Sequence, residues 1–123
     1  APPGKVAVLG ASANPSRYSH RAVERLRAQG HEVFGVNPGR PELSPVPVVA
    51  RVRDLPPDVH TLTVYVAPER SAELADELTR AGFRRVIFNP GSENPAVAAR
   101  LAASGVEVVE ACTLVLLATG EFG

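Results

Sequence analysis

The feature that most restricts this 123-residue chain is a set of short apolar runs without polar alternation. Residues 6–9, 31–36, 61–66, 85–88 and 106–109 are rich in β-branched and aromatic side chains and read as strands. Helical periodicity fills most of the gaps between them. A strand that is apolar on both faces must be covered on both, and parallel neighbours require crossovers of about ten residues or more. The pattern therefore specifies an α/β fold, a three-layer, doubly wound parallel sheet of Rossmann-like type with about five to six strands.

The opening stretch, residues 5–27, sets the chemistry. The run 6–9 ends at Gly10, a small, turn-prone segment follows, and from Ser19 the residues Ala22, Val23 and Leu26 share a helical face. Strand, tight loop and helix in this order aim loop amides and the positive end of a helix dipole at one point, where a phosphate is stabilised.

Further along, Gly30 closes the first helix and the second strand ends in Asn37, Pro38, Gly39 and Arg40. Residues 41–60 are proline-rich, with an extended piece at 46–49 and one helical turn around 51–55. Pro68 and Glu69 start an amphipathic helix that continues through Ala72, Leu74, Ala75 and Leu78 to Gly82. Pro95 is placed as the first residue of a helix reaching about Ala103, and residues 112–119 read as a short apolar helix packed beneath a neighbour. No linker or internal repeat divides residues 1–123, so one domain is expected.

Composition narrows the ligand. Thirteen basic and thirteen acidic residues give a pI near 7.1, so the overall field recruits neither nucleic acid nor an anionic membrane, and any anion must be bound locally. One cysteine excludes an internal disulfide, no apolar run approaches the ~18 residues of a membrane span, and a cytoplasmic setting is expected. Residues 1–5, APPGK, carry neither an initiator Met nor a signal-peptide pattern.

In a doubly wound sheet the ligand lies at the carboxyl ends of the strands, so the loops after strands carry the information. In the first, Gly10 holds the place of the first glycine in a dinucleotide-binding turn, while Ser12 and Pro15 replace the second and third. Ser12 limits backbone approach by a pyrophosphate and offers a hydroxyl instead. Arg17 is either a phosphate donor or a solvated charge. The second loop lacks the carboxylate that accepts ribose hydroxyls in NAD-binding domains. Asn37 and Pro38 stand there, with Arg40 beside them for another phosphate, although the same residues also make a plain turn. The third, Val66, Ala67 and Pro68, offers apolar surface and backbone.

Catalytic patterns are lacking. His20 reads as exposed or helix-capping, His31 and His60 as surface residues at strand starts, and none has metal-ligand spacing with Cys112. Cys112 is either a small core residue or a contact for a thiol ligand. Glu93 and Asn94 are explained by helix capping. The chain is expected not to be an enzyme on its own.

The succession VAVLGAS, GVNPGR, TVYVAPE, VIFNPG and VVEAC resembles the CoA-binding domain at the N-terminus of the succinyl-CoA synthetase α subunit, and more closely the small stand-alone CoA-binding proteins of bacteria. The resemblance covers residues 5–116. It implies non-enzymatic binding of coenzyme A or an acyl-CoA. Phosphates would lie near Gly10, Ala11, Ser12, Ala13 and Arg17, a phosphate or ribose contact near Arg40, and adenine near Asn37, Pro38, Val66, Ala67 and Pro68. The chain departs from the family where Val66, Ala67 and Ala111 replace frequent arginines, and at Tyr18 and Gly35. Two other readings stand beside this one: an NAD(P)-binding regulatory domain, and a subunit that completes an acyl-CoA ligase with a protein partner.

Overall fold

The computed structural model describes residues 4–123; residues 1–3, and with them most of the APPGK reading, lie outside the described residues. The strands are β1 (Lys5–Leu9), β2 (Glu32–Val36), β3 (Val48–Val49), β4 (Thr61–Val64), β5 (Arg85–Phe88) and β6 (Glu107–Glu110). They form one six-stranded sheet in the order β3-β2-β1-β4-β5-β6, with every pairing parallel. The chain order reverses between β1 and β4, so the loops leaving these two strands diverge and open a crevice.

The helices are α1 (Tyr18–Ala28), α2 (Pro68–Glu73), α3 (Ala75–Arg80), α4 (Pro95–Ala103) and α5 (Thr113–Thr119), with a 3₁₀ turn at Val52–Asp54. Period-two alternation in each strand sorts its side chains into two cores. Ala7, Leu9, Val36, Leu62, Val64, Val86 and Phe88 pack with Leu78 and Leu101 from α3 and α4. Val6, Val8, Val33 and Ile87 point the other way, onto Val23 and Leu26 of α1 and Leu117 of α5. The result is three layers, with the sheet in the middle.

Helix ends follow local chemistry. Gly30, at φ +90°, terminates α1 while the His31 N–H bonds the Leu26 carbonyl, a closure that favours glycine. Asn94 caps α4, its Oδ1 accepting from the Val97 N–H at 3.2 Å, and Pro95 fills the first helical position.

The single helix expected from residue 68 to 82 is two helices. At Leu74 (φ −96°, ψ 3°) the N–H is shared between the carbonyls of Arg70 and Ser71, a 3₁₀-like tightening that bends the axis. Apolar periodicity runs through this bend unchanged, which conceals it in sequence. Helix α5 does pack on α1, where Gln29 Nε2 donates to the Leu117 carbonyl at 3.1 Å, but its outer face is open and Val115 is 55% exposed.

Below the start of α5 the second core turns polar. Asn89, buried just past β5, donates through Nδ2 to Thr63 Oγ1 (2.7 Å) and the Val64 carbonyl (2.9 Å), and its Oδ1 accepts from the Thr113 N–H (2.8 Å). Thr63 and Thr113 share a further hydroxyl contact of 2.7 Å. One side chain thus ties the carboxyl ends of β4 and β5 to the start of α5. Asn89→Ala leaves the Thr113 amide buried and unpaired and is expected to cost roughly 1–3 kcal/mol of unfolding free energy in urea denaturation.

Candidate functional site at the strand ends

Two hollows lie above the carboxyl ends of β1, β2 and β4 and meet over Gly10, Asn37 and Val66. The smaller, about 560 Å³, is bordered by Ser12, Arg17, Tyr18 and Ser19 on one side and by Tyr65, Ala67 and the Pro90–Gly91–Ser92 turn on the other. The larger, about 850 Å³, has an apolar floor of Leu9, Val36, Val52, Val66 and Leu74, and a polar border that includes Arg51, Arg70, Glu73 and Glu77.

The loop between β1 and α1 is built by close approach. Gly10 has φ +90°, its N–H bonds the Val36 carbonyl at 2.9 Å, and a Cβ there would stand 3.0 Å from Val66 Cγ1 and 3.3 Å from the Tyr65 carbonyl. Only glycine fits this passage over the end of β4. Gly35 does the same from below, since a Cβ on it would lie 2.9 Å from Ala11 Cβ.

Two side chains then pin the loop. Asn37 Nδ2 donates to the Ala11 carbonyl at 2.8 Å, and His20 Nδ1 lies 2.9 Å from the Ser12 carbonyl. A carbonyl partner places the proton on Nδ1 of His20. Expected as exposed or capping, His20 is instead a brace from α1 to the loop, its side chain 16% exposed. Within the loop, Ser12 Oγ accepts from the Asn14 N–H (3.1 Å), and Asn14 Oδ1 accepts from both the N–H and the hydroxyl of Ser16. The Ser12 hydroxyl proton remains available to donate. Helix α1 begins at Tyr18, its N-cap Arg17 makes no side-chain cap bond, and Arg17, Tyr18 and Ser19 at this helix start border the smaller hollow.

The expected residues divide. Gly10, Ser12, Arg17, Asn37, Val66 and Ala67 line the smaller hollow, and Gly10, Asn37, Pro38 and Val66 the larger. Ala11 is fully buried beneath the loop and contributes its carbonyl to Asn37. Ala13 is exposed and lines neither hollow, and Pro68 starts α2, where its carbonyl accepts from Ser71 Oγ and Asn94 Nδ2. Arg40 lies apart from the other expected residues. Asn37 Oδ1 takes the Gly39 N–H and the Asn37 carbonyl takes the Arg40 N–H. This turn leaves Arg40 at φ +44° over a separate surface depression with residues 41–48, outside both hollows.

Sequence reasoning missed Arg51, Arg70, Glu73, Leu74 and Glu77. The last four follow an i, i+3, i+4, i+7 spacing, a signal that places them on one helical face. Arg51 comes from the proline-rich segment and carries no such signal. Cys112, half-buried at the start of α5, lines neither hollow. Among the described residues no three His, Cys, Asp or Glu side chains gather in a metal-binding arrangement, and no helix is long and apolar enough to cross a membrane.

A six-stranded parallel sheet with its crevice at the β1/β4 reversal, a glycine turn and an uncapped helix start defines a Rossmann-like nucleotide-binding module. Residues 4–118 match the CoA binding domain family, and the chain belongs to that family. No curated protein matches it in sequence. Among solved structures, a Thermus thermophilus protein known as cell-free ID.343 is 32% identical, with a TM-score of 0.87 over 97% of this chain and 91% of that one. A conserved hypothetical protein from Pyrococcus furiosus is 35% identical, with a TM-score of 0.79 over 86% and 91%. The dinucleotide-forming acetyl-coenzyme A synthetase 1 of Ca. Korarchaeum cryptofilum shares the fold at 24% identity, with a TM-score of 0.76 over 89% of this chain and 26% of that one.

Tyr65 supplies a spectroscopic reporter of the site. Its buried hydroxyl has no hydrogen-bond partner, and burial pushes its pKa from 10.0 up to about 12; the Thr113 and Thr63 hydroxyls nearby pull weakly the other way without reaching bonding geometry with it. The unfolded chain therefore loses this proton first, so stability is expected to be independent of this group's titration below about pH 10 and to fall as pH rises from about 10 to about 12. Tyr18 and Tyr65 are the two tyrosines and the chain has no tryptophan, so ultraviolet titration of phenolate follows this directly. Tyr65→Phe should abolish the step near 12 and leave stability at neutral pH unchanged or slightly higher.

Proposed function

We propose that this chain binds coenzyme A or an acyl-CoA across the strand ends and carries out no chemistry on it alone. The observation that carries the reading is the union of two chemically different hollows over Gly10, Asn37 and Val66. The smaller has the groups an anion needs: a free Ser12 hydroxyl proton, the uncapped start of α1, and the Arg17 guanidinium. The larger has an apolar floor of a size that suits a purine. A nucleotide with its base over Val36, Val52 and Leu74 and its diphosphate over Gly10 and Ser12 uses both. The remainder of the molecule then runs past Ala67 and the Pro90–Ser92 turn toward solvent. Membership of the CoA binding domain family supports this ligand over other nucleotides.

Support for binding without catalysis comes from the same side chains. The Tyr65 phenol is held neutral, and the Ser92 hydroxyl is spent on the Asn89 carbonyl at 2.7 Å. His20 uses Nδ1 to hold the loop, and its Nε2 lies 3.7 Å from Glu24 on the exposed face of α1. None of these pairs a nucleophile with a base.

In a thermal-shift panel, CoA and acetyl-CoA should stabilise the protein by about 2.7 kcal/mol at a hundredfold excess over Kd, and NAD and NADP by much less. A shift with NAD alone would overturn the reading. Ser12→Asp puts a fixed negative charge where the diphosphate lies and should abolish the CoA shift while the ligand-free melting temperature is retained.

A further inference from the structure

The amino ends of the strands, opposite the hollows, carry a polar cluster that the CoA reading does not use. Arg85 opens β5 and is half-buried there. Its Nε donates to Thr61 Oγ1 at 3.1 Å, its Nη1 donates to the Phe122 carbonyl at 2.6 Å, and its guanidinium lies over the Phe122 ring, 4.5 Å from the centroid. Phe122 is buried in the second core, and the His31 ring meets it edge-on at 5.0 Å. Residues 120–123, which follow α5, are thus fastened at the base of the sheet by one arginine and one aromatic contact, besides the Glu121 and Phe122 amides on the Leu116 carbonyl.

His60 stands next to this clasp, with its Nδ1 2.7 Å from Thr61 Oγ1. An arginine Nε only donates, so the Thr61 oxygen accepts from Arg85 and its own proton needs another partner. Thr61 is buried, and among the described residues the one acceptor in reach of that proton is His60 Nδ1. The neutral imidazole therefore carries its proton on Nε2. Protonation at Nδ1 turns the acceptor into a donor, strands the Thr61 proton and sets a second cation beside Arg85. The surroundings already disfavour this charge. Burial, then the Arg85 and Arg84 guanidiniums, hold the imidazole below its ordinary pKa of 6.5, and Glu107 at the start of β6 opposes them. Of the other charged groups nearby, Lys5 on β1 pairs with Asp58, and His31 Nδ1 faces the Gly4 carbonyl.

We propose that His60 is a pH-sensitive catch for residues 120–123: its neutral ring, through Thr61, sets Arg85 on Phe122, and its protonation loosens that segment from the base of the sheet. The unfolded chain takes up this proton first as pH falls, so stability is independent of the group well above pH 6.5 and declines as pH drops below that value. The penalty shrinks once Arg85 turns to solvent and releases Phe122. Acid therefore favours the open segment over the closed one.

The test follows the Phe122 amide, which donates to the Leu116 carbonyl at 3.1 Å, by hydrogen exchange in NMR spectra, corrected for the intrinsic exchange rate. Its protection is expected to fall roughly two- to tenfold between about pH 7.5 and about pH 5, in step with the His60 titration. Proton–nitrogen correlation spectra of the parent should show neutral His60 protonated at Nε2. His60→Asn retains an acceptor for Thr61 that does not titrate, and should keep Phe122 protected across the whole range. His31→Asn should lower protection throughout and retain the step, which separates the two histidines. Protection independent of pH in the parent, a step that survives in His60→Asn or vanishes in His31→Asn, or neutral His60 protonated at Nδ1 overturns the proposal.

Discussion

The site depends on how tightly the first loop is pressed onto the sheet. Gly10 crosses the end of β4 with no room for a Cβ, and Gly35 in β2 admits Ala11 from beneath. Two missing methyl groups let the backbone of residues 10–12 lie against the strand ends. Asn37, just past β2, and His20 from α1 then fix the Ala11 and Ser12 carbonyls. Backbone amides bind anions well only when their orientation is already set, because the ordering entropy has then been met by the fold. Here the bracing comes from α1, which follows the loop directly, and from the end of β2, which lies beside β1 in the sheet.

That arrangement also accounts for the absence of a glycine at residue 12. A second glycine would allow closer approach by a diphosphate, but it would remove the hydroxyl that accepts the Asn14 N–H and still has a proton to give. Ser12 therefore shapes the loop and offers a donor at once. The two readings of this residue that stand apart in sequence, local turn former and ligand contact, are compatible in the structure because a hydroxyl is donor and acceptor together.

Strand positions and the parallel sheet were legible because burial on both faces leaves an unmistakable run of apolar residues, as in VAVL and VIF. The position of the crevice at the strand ends was legible by topology alone. What was hidden involved distance in sequence or a local change of direction. Arg40 was expected beside the other strand-end residues because it follows β2 closely, and the Asn37 turn sets it over a separate depression. The bend at Leu74 left no mark because the apolar face continues across it. Arg51 and Glu77 meet through a 26-residue separation that no local pattern encodes. His20 looked like a surface residue since nothing in its neighbourhood shows that α1 folds back over the loop. Such errors arise where tertiary contacts overrule local propensity.

Charge economy connects these details. With thirteen basic and thirteen acidic residues the chain has no net field to draw in an anion. Selectivity must then come from a few charges held near a low-dielectric floor, where each interaction is stronger than at the open surface. Arg51 is paired with Glu77 and Arg70 with Glu73 where they border the larger hollow, so its rim carries opposite charges side by side rather than one sign, which limits repulsion between the two cations. Beneath that rim the floor of Val36, Val52 and Leu74 is apolar, so charge and apolar surface meet within one hollow.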